Sequence, residues 1–223
     1  MEVIGLIAEY NPFHNGHLYQ INKIKEQFPH SIIILILNGY FLERGEISIE
    51  TKEEKTRLAL QYAIDLVIEL PFVFGSNSAD IFAEASLELL HELKITKLIF
   101  GSESNDIELL TTIAKRQLDE NFDQLVKKYL NEGINYPTAL NKAIGIPLHS
   151  PNDLLGVSYI KAILKNHYTI TPLSIKRTND YHNKESNEII ISASNIREKL
   201  KKGIEVSSYI LKNFSLHYLN IKS

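Results

Sequence analysis

Two histidines, His14 and His17, stand three residues apart in the stretch VIGLIAEYNPFHNGHLYQI. The apolar run over Val3–Ala8 predicts a buried strand, and Asn11-Pro12 is a turn signal. From Gly16 onward apolar residues recur at spacings of three and four, which is the pattern of an amphipathic helix. The histidines are therefore expected on one face of the first helical turn, where free N–H groups and the helix dipole favour an anion. We interpret the pair as a phosphate site.

Two alternatives compete with this interpretation. A single histidine near a helix start is usually a capping or packing residue, and a metal ligand is the other possibility. The chain has no cysteine, and no third ligand stands at a recognisable spacing from the pair. The strand, turn and helix around the pair favour the phosphate site, so no metal ligands are predicted. Gly16 would let a bulky ligand approach the backbone closely.

A second set of polar residues lies near the end of the chain, in IIISASNIREKL over residues 189–200. Ser192 and Ser194 precede a predicted helix that carries Ile196, Arg197 and Leu200. Serines at a helix start are usually caps. Here hydroxyls, free N–H groups and an arginine converge on one place, which indicates a second anion site.

The elements that must position these groups alternate along the chain. Strand-like runs lie at 31–38, 65–71, 97–101 and 172–177, and helical patterns at 52–63, 79–93, 107–117 and 151–165. Alternation of this kind predicts an α/β fold, a Rossmann-like doubly wound, mostly parallel sheet covered on both faces. The segment 120–146 is predicted to add helices beside the sheet.

Ligands of such sheets bind at the carboxyl ends of the strands, at a topological switch point. Functional residues should therefore follow strands, as the histidine pair does. Asn38-Gly39 and Arg44 also follow a strand, as do Gly101, Ser102 and Glu103. A glycine at position 101 can admit a flat ring against the backbone, although a simple turn would explain it equally well.

Composition sets limits on the chemistry. The 223 residues are enough for one large α/β domain, or for one domain with a small appendage. The lack of cysteine excludes disulfides and a cysteine nucleophile. The longest apolar run, 32–37, is far below the ~20 residues that span a bilayer. Glu2 stands where a signal peptide would be basic, so a cytoplasmic protein without a membrane partner is expected.

The net charge of −3 conceals an asymmetry. Residues 1–160 carry 13 Lys and Arg against 22 Asp and Glu, whereas residues 161–223 carry 11 against 5. A basic end can bind a polyanion such as a nucleic acid, but a solvent-exposed helix face would contain the same excess of basic residues.

HNGH after the first strand, together with SASNIR at the start of a late helix, resembles the HxGH nucleotidyltransferase superfamily of Rossmann-like folds. In that superfamily the two motifs clasp the phosphates of ATP or CTP. A closer likeness is carried by GLIAEYNPFHNGHLYQ, NGYFLERGE, DLVIELPF, FGSES, SPNDLLGVSY and NDYH before SASNIR. These segments resemble the bacterial tRNA(Met) cytidine acetate ligase family over nearly the whole chain.

The resemblance implies an enzyme that activates acetate with ATP to acetyl-adenylate and transfers the acetyl group to N4 of the wobble cytidine of elongator tRNA(Met). His14 and His17 would be catalytic, donating hydrogen bonds to phosphate oxygens. Ser192, Ser194 and Arg197 would hold the pyrophosphate with Mg²⁺. By the same resemblance, the ATP-binding residues are Ile7, Ala8, Glu9, Tyr10, Asn11, Pro12, Phe13, His14, Asn15, Gly16, His17, Leu18, Tyr19, Gln20, Gly101, Asn152 and Arg177.

The resemblance also suggests a division of the chain. A Rossmann-like ATP-binding catalytic domain is expected over residues 1–180, with a helical insertion around 105–146. Residues 181–223 would carry the phosphate-clasp helix and a basic helical extension. Family members usually continue into a further helical region linked to tRNA binding, so we expect acetate activation to be retained and tRNA binding to be weak.

Two other functions stay open at this point. One is a nucleotidyltransferase of cofactor biosynthesis, of the nicotinate mononucleotide or phosphopantetheine type. The other is a non-catalytic nucleotide- or tRNA-binding module. The presence of both phosphate motifs argues against the non-catalytic module, and DNA is not an expected partner.

Overall fold

One parallel sheet organises the chain. The structure, a computed structural model, describes residues 1–177 and 190–210. Within these residues, five strands lie in the order β3-β2-β1-β4-β5, and every neighbouring pair is parallel. The strands are β1 (Val3–Ala8), β2 (Ile32–Asn38), β3 (Leu66–Leu70), β4 (Lys97–Ser102) and β5 (Thr171–Lys176). The chain builds outward from β1 in one direction and then in the other, so the topological switch point lies between β1 and β4.

The sheet is covered on both faces. Along β2, Ile34 and Ile36 belong to one buried apolar cluster, whereas Ile33, Leu35 and Leu37 belong to a second cluster. Alternate side chains of a strand point to opposite faces, so a strand buried on both sides reads as a continuous apolar run. The predicted α/β class and doubly wound parallel sheet are confirmed.

The helices fill the intervals between the strands. They are α1 (Asn15–Gln27), α2 (Lys52–Gln61), α3 (Phe72–Gly75), α4 (Ala79–Glu92), α5 (Ile107–Gln117), α6 (Phe122–Asn131), α7 (Tyr136–Ile144), α8 (Pro151–Lys165) and α9 (Ala193–Lys201). The predicted strands and the four predicted intervening helices agree with these bounds to within two residues. The predicted helical segment 120–146 is divided into α6 and α7, with Gly133 at a φ of +80° between them. The sequence does not predict helix α3, because its four residues are too few to show a helical period.

The predicted division into two domains is not tested by the structure. The proposed boundary at 180/181 lies outside the described residues, as does the NDYH motif, so the division stays a prediction. In the described ranges, no helix combines the length and the apolar character needed to cross a bilayer.

A buried lysine ties two strand ends together. The side chain of Lys55, in α2, is fully buried, and its Nζ donates hydrogen bonds to the backbone carbonyls of Glu9, Asn38 and Gly39 at 3.0, 2.7 and 2.7 Å. Burial lowers the pKa of Lys55 to about 8, so the ammonium form still predominates at pH 7. The ammonium fixes the start of the turn that leads from β1 into HNGH.

We predict that Lys55→Met will lower the free energy of unfolding by ~3 kcal/mol or more, because buried carbonyls without a donor cost ~1–3 kcal/mol each. Urea unfolding measures the change. The matched control is Lys52→Met in the same helix, which removes an exposed ion pair with Glu69 and should change stability little. Equal losses in the two variants would contradict the role assigned to Lys55.

Candidate active site

An open cleft of about 430 Å³ lies beyond the carboxyl ends of β4 and β5, beside the start of α1. It therefore borders the switch point of the sheet, where ligands of such folds bind. The lining residues are His14, Gly16, His17, Tyr19, Gln20, Gly101, Ile175, Lys176, Arg177 and Ile190.

The histidine pair is fixed by the backbone at the start of α1. His14 is the N-cap, and its Nδ1 accepts a hydrogen bond from the Gly16 N–H at 3.0 Å. The Nδ1 of His17 accepts from the His14 N–H at 3.2 Å, and the two ring centroids are 3.9 Å apart. Because both Nδ1 atoms act as acceptors, the ring proton must lie on Nε2 in each neutral imidazole. His14 is thus a capping residue, which was one of the alternatives to a phosphate site. Both rings nevertheless line the cleft, and each offers an Nε2–H donor there.

Gly16 is required for a reason that the sequence did not reveal. A Cβ at this position would lie 2.7 Å from Cε1 of His14 and 3.0 Å from its Nδ1. The glycine therefore makes room for the capping imidazole itself. The expected approach of a ligand to the backbone remains compatible with this contact, since Gly16 also lines the cleft.

Both imidazoles are neutral at pH 7. Burial, and then the positive charge of Arg177, lower the pKa of His14 to about 3. Burial also lowers the pKa of His17 well below its ordinary value, with smaller contributions from His14 and Arg177. The pair can therefore donate hydrogen bonds to an anion without carrying charge in the free protein.

The residues that precede His14 in the turn hold the histidine pair in place by packing and by a backbone hydrogen bond. Tyr10 and Phe13 are buried, and the Tyr10 ring packs 4.5 Å from the His17 ring and 4.7 Å from the Phe13 ring. The Phe13 N–H donates to Oε2 of Glu50 at 3.0 Å, and burial raises the pKa of Glu50 to about 7. The turn is therefore positioned by buried packing and by a carboxyl group that the sequence did not single out.

The other residues of the first motif lie around this turn. Ile7 and Ala8 end β1 and pack against opposite clusters, and Leu18 packs against the same cluster as Ala8. The Asn15 amide donates to the Ser208 carbonyl, and the Gln20 amide donates to the Ile99 carbonyl at 3.5 Å. Pro12 follows Asn11 in the turn.

Glu9 and the residues after β2 face a neighbouring loop. Oε1 of Glu9 accepts from the Glu43 N–H at 2.7 Å, and burial raises the Glu9 pKa. Asn38 is buried and donates to the Gly75 carbonyl, while the Arg44 side chain is exposed beside Glu43. Asn38, Gly39 and Arg44, although predicted at the functional edge, do not line the cleft.

Three predicted residues meet on the β4 side. Nη1 of Arg177 lies 3.4 Å from Oδ1 of Asn152, and the Asn152 amide donates to Oε1 of Glu103 at 2.5 Å. A Cβ on Gly101 would lie 3.4 Å from Cγ of Arg177. The glycine thus leaves space for the arginine along the wall of the cleft.

The second motif meets the first. Ser192 is the N-cap of α9, accepting from the Asn195 N–H, and its hydroxyl is 2.9 Å from that of Ser194. Nη1 of Arg197 donates to the Asn11 carbonyl at 2.8 Å, and Nη2 lies 3.5 Å from Oε2 of Glu46. The start of α9 therefore lies against the HNGH turn, and the two predicted anion sites adjoin each other.

The arrangement suits a polyanion that carries a flat group. It combines two neutral imidazole donors with the cations of Lys176 and Arg177 beside Gly101. The first N–H groups of α1, which the sequence predicted to be free for an anion, are instead bonded to the Tyr209 carbonyl and to Nδ1 and the carbonyl of His14. In the part of the chain that the structure describes, no group of three or more His, Asp or Glu side chains could hold a metal ion.

Comparison with known proteins identifies relatives across the whole fold. A family model described as HIGH Nucleotidyl Transferase matches residues 1–222. The tRNA(Met) cytidine acetate ligase of Mycoplasma mobile is 40% identical over 212 residues, covering 92% of this chain and 71% of that relative. The ligase of Mycoplasmopsis pulmonis is 43% identical, with 92% and 71% covered.

A solved structure agrees with these relatives. The crystal structure of Thermotoga maritima TmcAL bound with alpha-thio ATP matches with a TM-score of 0.84 at 32% identity. The match covers 95% of this chain and 54% of that one, so this chain spans about half the length of the Thermotoga protein.

The neutral histidines predict a pH dependence of stability. In the unfolded chain an imidazole has a pKa near 6.5, whereas His14 in the folded protein has a pKa of about 3. The unfolded state therefore binds more protons on acidification, and stability is complete above about pH 6.5 and is lost progressively as the pH falls towards 3.

Replacing His14 by Asn keeps an N-cap acceptor and removes the titrating group. We expect the loss of unfolding free energy between pH 7 and pH 5 to be ~2 kcal/mol smaller in His14→Asn than in the unmodified chain. Urea unfolding at each pH measures it, with the exposed His30→Asn as the matched control. An unchanged pH dependence in His14→Asn would show that His14 takes up a proton as readily in the folded protein as in the unfolded chain.

Proposed function

The chain belongs to the HIGH nucleotidyl transferase family, among the tRNA(Met) cytidine acetate ligases, and from this premise we propose that it activates acetate with ATP and acetylates N4 of the wobble cytidine of elongator tRNA(Met). One observation carries the proposal: Arg197 of the second motif bonds to Asn11 of the first, beside a cleft at the switch point. The alpha-thio ATP of the Thermotoga relative supports ATP as the nucleotide. The family relationship favours this reaction over nucleotide transfer to a cofactor precursor.

In the first step a carboxylate oxygen of acetate attacks the α-phosphorus of ATP. The bond from that phosphorus to the bridging oxygen breaks, giving acetyl-adenylate and pyrophosphate. Acetate is already ionised at neutral pH, so the step needs no catalytic base. It depends on positioning and on stabilising the charge that develops on phosphate oxygens.

The residues of the cleft supply that stabilisation. The Nε2–H groups of His14 and His17 would donate to phosphate oxygens, and a developing negative charge would raise their low pKa values. Arg177 would interact with the nucleotide from the β5 side. Ser192, Ser194 and Arg197 would hold the leaving pyrophosphate. Mg²⁺ would enter as the complex of ATP, with phosphate oxygens among its ligands.

In the second step the N4 amine of cytidine attacks the acetyl carbonyl carbon. The bond to the adenylate oxygen breaks, AMP leaves, and the amine releases a proton. We place the reaction in the cytoplasm, where ATP and tRNA occur together. The basic excess after residue 160 would meet the tRNA, since phosphate contacts supply much of nucleic-acid affinity.

Exchange of labelled pyrophosphate into ATP tests the activation step. We expect exchange that requires acetate and stops when acetate is omitted. Exchange without acetate would indicate a different acceptor for the adenylyl group. A complete absence of exchange in a folded protein that binds ATP would remove the proposed reaction.

The role of His17 can be separated from its structural role. The Oδ1 of an asparagine can replace Nδ1 as the acceptor for the His14 N–H, but it leaves no donor at the position of Nε2. We predict that His17→Asn will lower acetate-dependent exchange by ~100-fold or more while the melting temperature changes little.

The matched variant is His17→Gln, whose amide can reach the position of Nε2. It should retain more exchange activity than His17→Asn. Near-normal exchange by a folded His17→Asn protein would show that the Nε2–H donor is not used.

A further inference from the structure

Two segments that carry the family resemblance, NGYFLERGE at 38–46 and DLVIELPF at 65–72, do not line the cleft. Each continues past the end of a strand, β2 or β3, and exposes aromatic side chains there. In residues 1–177 and 190–210, four of the five exposed aromatic side chains lie in or directly after these segments: Tyr40, Phe41, Phe72 and Phe74. Apolar surface that a fold leaves exposed in one place marks an interaction site.

The two segments meet through their rings. The ring centroids of Phe41 and Phe72 are 5.0 Å apart, with the planes tilted by 59°. Ile47 is the partner of Phe41 in an isolated antiparallel bridge, so its exposed side chain lies beside that ring. Phe72 is 64% exposed. Phe41, Ile47 and Phe72 together form one apolar surface, which we call the aromatic patch.

Hydrogen bonds beneath the aromatic patch join the loop after β2 to α3. The Ser76 hydroxyl donates to the Leu42 carbonyl at 2.8 Å, and the Asn38 amide donates to the Gly75 carbonyl at 3.1 Å. The N–H of the buried Leu42 donates to the Glu46 carbonyl at 2.9 Å, which closes the loop on itself. The rings are therefore held in place before a partner arrives, and little ordering is required on binding.

The aromatic patch and the cleft lie at the same edge of the sheet, because all five strands are parallel. Glu46, next to Ile47, lies 3.5 Å from Arg197, whose other nitrogen donates to the Asn11 carbonyl at the HNGH turn. Adjacent strands are about 4.8 Å apart, so the ends of β2 and β3 lie roughly 10–15 Å from the end of β4. Stacked nucleotides are spaced by about 3.4 Å, so a few nucleotides span this distance.

We propose that the aromatic patch stacks an unpaired RNA base that neighbours the wobble cytidine. The inference rests on the proposed function, in which the N4 amine of that cytidine reaches acetyl-adenylate in the cleft. A base that enters an enzyme site leaves the stack of its own strand, so the neighbouring bases lose a stacking partner. Exposed aromatic rings replace that partner, because every base has a π-face.

The charges beside the aromatic patch favour stacking over phosphate contacts. Glu46 is paired with Arg197, and the exposed Arg44 lies 3.7 Å from Glu43. Acidic and basic side chains thus occur together, and they provide no concentrated positive charge for a phosphate backbone. Because stacking releases no counterions, removing a ring should weaken RNA binding without changing its dependence on salt.

The experiment measures the Kd of an RNA stem-loop that carries the anticodon loop of elongator tRNA(Met), at two salt concentrations. Phe72→Leu keeps the patch apolar but removes the π-face, so it should raise Kd by ~10-fold or more. Phe72→Tyr keeps the ring and should bind like the unmodified chain. The ratio of the two Kd values across the salt concentrations should be the same in all three proteins. Acetate-dependent exchange needs no RNA and should continue in each, which shows that the cleft is intact.

The matched control is Tyr136→Leu in α7, where the aromatic side chain is 60% exposed but stands apart from both segments. It should leave the Kd unchanged. If Phe72→Leu does not fold, Phe41→Leu removes the other ring of the patch and should raise Kd in the same way.

Four results would overturn the inference. They are no binding of the stem-loop by the unmodified chain, an unchanged Kd in a folded variant that lacks a ring, an equal loss in Tyr136→Leu, and a dimer in sedimentation experiments that Phe72→Ser separates. The dimer would assign the aromatic patch to a second copy of the chain. Failure of the proposed function is distinguishable: RNA stacking without acetate-dependent exchange would remove only the acetate reaction, whereas exchange with an unchanged Kd would remove only the role of the patch.

Discussion

Backbone polar groups buried at the carboxyl edge of the sheet require partners, and the side chains that satisfy them hold the HNGH turn in place beside the cleft. Lys55 supplies an ammonium to three strand-end carbonyls, and Glu50 accepts the Phe13 N–H at the entrance to the HNGH turn. Arg197 donates to the Asn11 carbonyl across the join between α9 and the turn. Since an unpaired buried group costs free energy comparable to a lost hydrogen bond, the geometry of the site depends on these contacts.

The same burial sets the electrostatics of the site. His14 and His17 are shielded from water and lie near the positive charge of Arg177, so both rings stay neutral with their protons on Nε2. Neutral donors held by backbone hydrogen bonds need little reorganisation when charge develops on a phosphate. In the proposed site, the positive charges of Lys176 and Arg177 at the cleft would attract the anion. Attraction and hydrogen-bond donation are therefore assigned to different side chains.

The fold could be predicted because its apolar runs are short, regular and separated by clear helical periods. The sequence also predicted the edge of the sheet where the cleft lies, because the HNGH turn directly follows the apolar run of β1. The supporting groups could not be found in this way. Lys55 looks like Lys52 in an amphipathic helix, and Glu50 looks like any acidic loop residue, because their roles arise from contacts with residues distant in sequence. At Gly16 the sequence predicted the approach of a ligand, but it could not show that the His14 ring also needs this space.

Nuclear magnetic resonance of ¹⁵N-labelled histidine tests most directly whether the phosphates of ATP lie against the His14 and His17 rings. The Nε2 signals, assigned through His14→Asn and His17→Asn, would be followed while ATP or adenosine is added at pH 7. Saturating ATP should shift both Nε2 signals, and adenosine, which lacks phosphates, should leave them nearly unchanged. Signals that stay in place at saturating ATP would contradict a phosphate site at the histidine pair.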